Sequence, residues 1–155
     1  LSDRKVHFAI AGDGSRREEL VDEVVERELT NVSFIGRVDS VPEFLSAVDI
    51  YFQPSHYEGL CITVLEAMAA GKPIVASTAG EIPRNVRDGK EGFVADSENI
   101  EAFVEAIETL LDDPELRSRF SETSRQRVVE RYSQEILVER LWDVIEKTYF
   151  GDGES

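Results

Sequence analysis

The chain is poor in the residues that usually announce chemistry: one cysteine, one methionine, one tryptophan and two histidines in 155 residues. A lone cysteine rules out an internal disulfide framework and makes a reducing compartment the expectation. His7 and His56 lie far apart, His7 within an expected strand, so no metal cluster is expected. Basic residues are also scarce. Lysine and arginine total 17 against 32 aspartates and glutamates, a formal charge of −15. That balance excludes the basic stripe a nucleic-acid-binding surface needs. It also requires any phosphate-bearing ligand to be held by local groups, against the field of the whole protein. The acids are dispersed and arginine far exceeds lysine, a pattern produced both by salt adaptation and by ordinary acidic helix faces. No apolar run is long enough to span a bilayer, and no signal-peptide pattern opens the chain. Because the chain begins at Leu1 and its single methionine is Met68, a piece of a longer protein is expected. Repeats and low-complexity linkers are absent.

What is present is alternation. Apolar strand-like runs occupy residues 6–11, 32–35, 49–52, 73–76 and 92–95, with helical patterns between them. This order predicts an α/β fold: a Rossmann-like parallel sheet of about five strands with helices on both faces. Ser15 with Glu18, and Ser40 with Glu43, read as capping boxes, and Pro42 falls in the first turn of the second helix. The first helix is expected to turn Leu20, Val21, Val24 and Val25 to the core. A short helix is expected after Pro83. From Ser97 onward only helices are expected: one with Ile100, Phe103, Val104, Ile107, Leu110 and Leu111 on a face, one restarting at Asp113-Pro114, and one capped by Ser133. The length fits one domain, residues 1–150, with 151–155 as a flexible tail.

The most specific stretch runs from Gln53 to Ala76. Pro54-Ser55 leaves a strand, Glu58-Gly59-Leu60-Cys61 turns, and a helix carries Leu65-Glu66-Ala67-Met68-Ala69 into Gly71-Lys72-Pro73-Ile74-Val75-Ala76. Two carboxylates, Glu58 and Glu66, thereby flank a helix N-terminus at the carboxyl end of a strand, where open α/β sheets bind ligands. Carboxylates there can grip sugar or ribose hydroxyls through charge-assisted hydrogen bonds.

This stretch resembles the donor-binding signature of retaining nucleotide-sugar glycosyltransferases of the GT-B fold, family 4. Further blocks fall in that family's order: Ile10 to Gly14, Val32 to Val38, and Val86 to Val94, which resembles the family's late turn and last strand. The resemblance covers the chain from about Val6 to Tyr149. It implies the donor-binding half of an enzyme that moves a sugar from a nucleotide diphosphate to a hydroxyl acceptor. Glu58 would face the donor sugar as the catalytic carboxylate, and Glu66 would hold ribose hydroxyls. The amides of Gly59, Leu60, Cys61 and Ile62, backed by the helix dipole, would meet the diphosphate. Gly36, Arg37 and Val38 would approach the base; Arg37 either stacks on it or is a solvated turn residue. Gly12 and Gly14 fit a tight turn beside the ligand, and equally an ordinary strand–helix turn. His56 and Tyr57 either line the sugar pocket or belong to the loop alone.

Two departures stand out. The family commonly has glycine where Cys61 stands, and Cys61 reads as a packing residue, with no base at motif spacing to activate it. Arg84 reverses the charge of the acid that often follows the family's proline; Lys72 reads as a surface residue. The resemblance further implies that a central strand and helix with a basic pair, and an N-terminal acceptor domain, precede this stretch in the family. The sheet would then either close to the order 2-1-3-4-5 or leave two strand edges open. No cofactor is implied beyond a UDP-, GDP- or ADP-sugar as donor substrate, without a metal. A cytoplasmic site of action is implied, with any contact at the inner face of the membrane made by the other half. Against the enzyme reading stand a non-catalytic nucleotide-binding or partner-completing module of the same ancestry, and a sugar-nucleotide epimerase of similar fold, whose acid and histidine motifs are not found.

Overall fold

The computed structural model describes residue 1 and residues 4–149. Five parallel strands alternate with helices, as the periodicity predicts. In order they are β1 (Phe8–Ala11), α1 (Arg17–Glu26), β2 (Val32–Gly36), α2 (Val41–Ser46), β3 (Tyr51–Gln53), α3 (Ile62–Ala69), β4 (Ile74–Ser77), α4 (Ile82–Asn85), β5 (Gly92–Ala95), α5 (Ile100–Asp112), α6 (Pro114–Tyr132) and α7 (Gln134–Tyr149). The expected tail, residues 151–155, lies outside the described residues.

The strands form two parallel sheets, β1-β2 and β3-β4-β5. A single sheet of order 2-1-3-4-5 does not form. Each ladder is completed within its own compact unit, Leu1–Ala47 or Val48–Ser155. One edge of β1 and one edge of β3 are left without a strand partner among the described residues, the other arrangement the sequence allowed.

In the first unit, β1 runs beside β2 from Phe8 opposite Val32 to Ala11 opposite Gly36, with a register shift after Ile10. Helix α1 departs from expectation. It starts at Arg17 behind a turn closed by Arg17 N–H to the Gly14 carbonyl at 3.0 Å, so Ser15 does not cap it. No α1 residue is fully buried: Val21 and Val24 are half-buried, whereas Leu20 and Val25 are exposed. Ser40 does occupy the N-cap of α2, yet its hydroxyl makes no cap bond. Pro42 in the first turn has no N–H to offer it.

The second unit holds the main core. Every residue of β4 is buried, as a central parallel strand covered on both faces must be. Helix α3 buries Val64, Ala67 and Met68 and packs on α6. Phe103 of α5 meets Phe52 of β3 edge-on at 5.4 Å, and Phe120 of α6 meets Phe93 of β5 at 5.3 Å. Burying each such large apolar side chain is worth about 1.5–3 kcal/mol. Gly92 is required where β5 meets β4, because a Cβ there would lie 2.6 Å from the Ile74 carbonyl carbon. Asp113 caps α6 through Leu116 N–H at 2.8 Å, and Ser133 accepts from Ile136 N–H at 3.4 Å at the start of α7. On α7 the large apolar residues Leu137, Leu141 and Trp142 are exposed. No helix among the described residues is long and apolar enough to cross a membrane.

Candidate functional site

Pro54 ends β3 because it cannot donate to a ladder, and the chain leaves the sheet at its carboxyl edge. Residues 54–61 then cross to the N-terminus of α3. This loop is pinned from β4 and the turn beyond it. Ser77 Oγ donates to the Ser55 carbonyl at 2.6 Å, and Glu81 N–H donates to the Gly59 carbonyl at 3.0 Å. Gly80, at φ +54°, lies flat against the loop: a Cβ there would sit 2.6 Å from the Gly59 carbonyl oxygen and into that of Glu58. The loop backbone therefore has little freedom.

On this base sits Glu58, half-buried, with Oε1 accepting from Ser55 Oγ at 2.7 Å and Gln53 Nε2 at 3.1 Å. Gln53 Nε2 also donates to Ser55 Oγ at 2.6 Å, and Tyr51 OH bonds Gln53 Oε1 at 2.7 Å. Glu66 is exposed on α3. Glu58 is joined through Gln53 to the Tyr51 phenol. Burial chiefly pushes that phenol's pKa up; a hydrogen bond from Thr63 lowers it, and the charges of Cys61, Glu58 and Glu66 add to the upward shift.

The amides of Gly59, Leu60 and Cys61 have no acceptor among the described residues; in the first turn of α3 the Val64 N–H turns back to the Cys61 carbonyl at 3.1 Å, leaving those of Ile62 and Thr63 at the open end. Cys61 is the N-cap, at φ 54° and ψ 65°, the left-handed region that glycine adopts without cost. A glycine-like backbone is thus kept although the side chain is not glycine. The thiol is buried, 3.7 Å from Thr63 Oγ1, and burial raises its pKa, so it stays protonated at neutral pH and packs. Leu60 and Ile62 are exposed beside it.

His56 turns to the β5–α5 loop, its Nδ1 lying 3.1 Å from Ser97 Oγ and 3.2 Å from Glu98 Oε1. Tyr57 is 94% exposed. Arg84 is engaged locally: its guanidinium pairs with Glu81 at 3.0 Å and its carbonyl accepts from Arg127 and Arg131. In the first unit, Gly12 and Gly36 are joined by Gly12 N–H to the Gly36 carbonyl at 2.7 Å, and both have positive φ. Gly14 has no such backbone demand and serves the turn into α1. Arg37 is exposed and Val38 half-buried after β2.

Sequence reasoning missed Tyr51, Gln53, Ser55, Ser77 and Gly80. A signal for the first three was present: polar residues alternating along 51–55 share one side of an extended chain.

Fold and placement are those of a Rossmann-like α/β domain of the GT-B glycosyltransferases. The chain belongs to the family described as glycosyl transferases group 1, whose model matches residues 1–127. Among curated relatives, the lipopolysaccharide core biosynthesis glycosyltransferase LpsE of Rhizobium meliloti is 34% identical over 136 residues, covering 86% of this chain and 40% of that protein. TarM of S. aureus, solved as a G117R mutant with fondaparinux, alpha-GlcNAc-glycerol and UDP, superposes at a TM-score of 0.83 with 26% identity, covering 90% of this chain and 29% of that one. The C-terminal domain of the glycosyl transferase group 1 family protein LpcC from Francisella tularensis matches at 0.72 with 20% identity, covering 85% of this chain and 90% of that one. The chain spans 40% or less of the length of the first curated relatives it matches.

Proposed function

We propose that this chain is the donor-binding domain of a retaining glycosyltransferase of family 4. The parent enzyme would transfer a sugar, of hexose type, from a nucleotide diphosphate to a hydroxyl acceptor. The observation that carries this reading is a carboxylate, Glu58, fixed beside the free amides that open α3. Glu58 faces the donor sugar and Glu66 the ribose hydroxyls, each accepting charge-assisted bonds that position the donor. The amides of Gly59, Leu60 and Cys61, with the α3 dipole behind them, stabilise the diphosphate as its bond to the sugar breaks. That charge stabilisation needs no divalent ion. UDP is the first base to try, since TarM was solved with it; GDP and ADP are the alternatives. The acceptor would be bound by another part of the parent enzyme, which acts in the cytoplasm. Alone, this chain binds donor and transfers little or nothing.

Calorimetry with UDP, GDP and ADP and their glucose conjugates tests the reading. Saturable binding of one nucleotide, unchanged by a chelator and weakened about tenfold or more by Glu66→Ala, is the expected result. Binding that ignores Glu66→Ala would remove that residue from the site. Absence of binding to every nucleotide would count against a donor site in this chain.

A further inference from the structure

The protons around Glu58 have a fixed direction, set by the far end of the network. An ionised carboxylate only accepts, so Ser55 Oγ and Gln53 Nε2 both donate to Oε1. With its nitrogen turned to Glu58, Gln53 presents its carbonyl oxygen to Tyr51, whose hydroxyl donates to it. Gln53 also donates to Ser55 Oγ, which leaves the serine's own proton for the carboxylate. Every donor from Tyr51 onward points toward Glu58, and bonds in such a chain polarise one another.

Two further details matter. Both bonds end on Oε1, and Oε2 accepts none among the described residues. No arginine or lysine pairs with Glu58 among the described residues. Neutral donors hold the carboxylate without cancelling its charge; a guanidinium in their place would compete with the ligand for that charge.

We propose that Tyr51, Gln53 and Ser55 are positioning residues, a one-way donor chain that holds Oε1 of Glu58 and leaves Oε2 for the sugar of the donor. This rests on the donor-site reading above. Because Glu58 directly precedes Gly59, holding it also ties the carboxylate to the turn whose amides face the diphosphate. Sugar and diphosphate are thereby held in one relation, as a near-attack geometry requires.

The test uses the full chain and the variants Gln53→Met, Ser55→Ala, Tyr51→Phe and Ser55→Thr, with two readouts. The first needs no ligand: NMR three-bond couplings of the Glu58 side chain. The parent and Ser55→Thr should show one rotamer, whereas Gln53→Met and Ser55→Ala should show averaging. The second compares affinity for UDP and UDP-glucose, or the GDP or ADP pair if that is the one bound. Gln53→Met and Ser55→Ala should weaken the sugar conjugate about tenfold with free nucleotide unchanged, and Ser55→Thr should restore it. Tyr51→Phe should give a smaller loss of the same kind. Averaged Glu58 couplings in the parent, a single rotamer surviving in Gln53→Met and Ser55→Ala, or equal loss of both ligands would overturn the proposal. If the parent binds neither ligand, the donor-site reading falls and the couplings alone decide the positioning role.

Discussion

Cys61 occupies a conformation that costs an L residue about 1–2 kcal/mol, while its thiol fills a buried position. Replacing it with glycine relieves the first and forfeits the second, so Cys61→Gly should leave stability within about 1 kcal/mol of the parent. Cys61→Val adds bulk and a β-branch at positive φ, and should cost about 2–3 kcal/mol. Denaturant unfolding of the two variants checks this contrast. The same residue and Tyr51 shape the response to alkali. Burial raises the pKa of the Cys61 thiol above 9.0 and of the Tyr51 phenol above 10.0. In both cases the neutral, protonated form is favoured by folding. The stability they contribute is therefore complete below the ordinary values and is lost as pH rises through the raised ones. Unfolding midpoints should fall from about pH 9 upward, and Cys61→Ala with Tyr51→Phe should flatten that fall. An unchanged slope in the double variant would mean that other groups carry the alkaline limb.

Among the elements, β4 and β5 show how differently glycines can matter. A side chain at Gly92 would drive into the Ile74 backbone, in a strand pair with no room to part. Gly92→Ala should thus destabilise the chain by about 3 kcal/mol or more, seen in thermal or denaturant unfolding. Gly80→Ala presses on the Glu58–Gly59 carbonyls instead, and should lower donor affinity before it lowers stability. If Gly80→Ala binds nucleotide sugar as the parent does, the loop is freer than its contacts imply. These two positions also mark what could be read without coordinates. The strand–helix alternation, the extent of β5 and the Asp113 restart follow from local periodicity and punctuation. Glu58 and Glu66 stand out in the sequence as candidates because several motif blocks stand in order around them. The pressure of Gly80 on the Glu58 loop was not, since residues 22 positions apart meet only once the sheet is folded. The Ser15 cap failed for a local reason: the Gly14–Arg17 turn competes with it, and a motif alone does not weigh that competition. Tyr51 reads only as strand and Gln53 only as the first residue of the motif stretch, because an apolar run hides a polar side with a period of two.

For the molecule as a whole, a formal charge of −15 is a standing repulsion. Added monovalent salt screens it over a Debye length that shrinks from about 30 Å at 0.01 M to about 3 Å at 1 M. The melting temperature should therefore rise by several degrees across that range, roughly 1 kcal/mol of relief in a domain this size. A flat or falling profile would mean that the Arg16–Glu19 and Arg27–Glu23 surface pairs outweigh the net repulsion. Stability is also unevenly shared. In the Leu1–Ala47 unit, Leu45 is the one fully buried side chain among the described residues, whereas β4 and its neighbouring helices hold most of the core. A segment with so little interior opens far more often than the molecule unfolds. Amides of β1 and β2 should trade their hydrogens for deuterium long before those of β4 and β5, and a protease should find its first cut there. The paired glycine turns at Gly12 and Gly36 belong to that readily opened part of the chain.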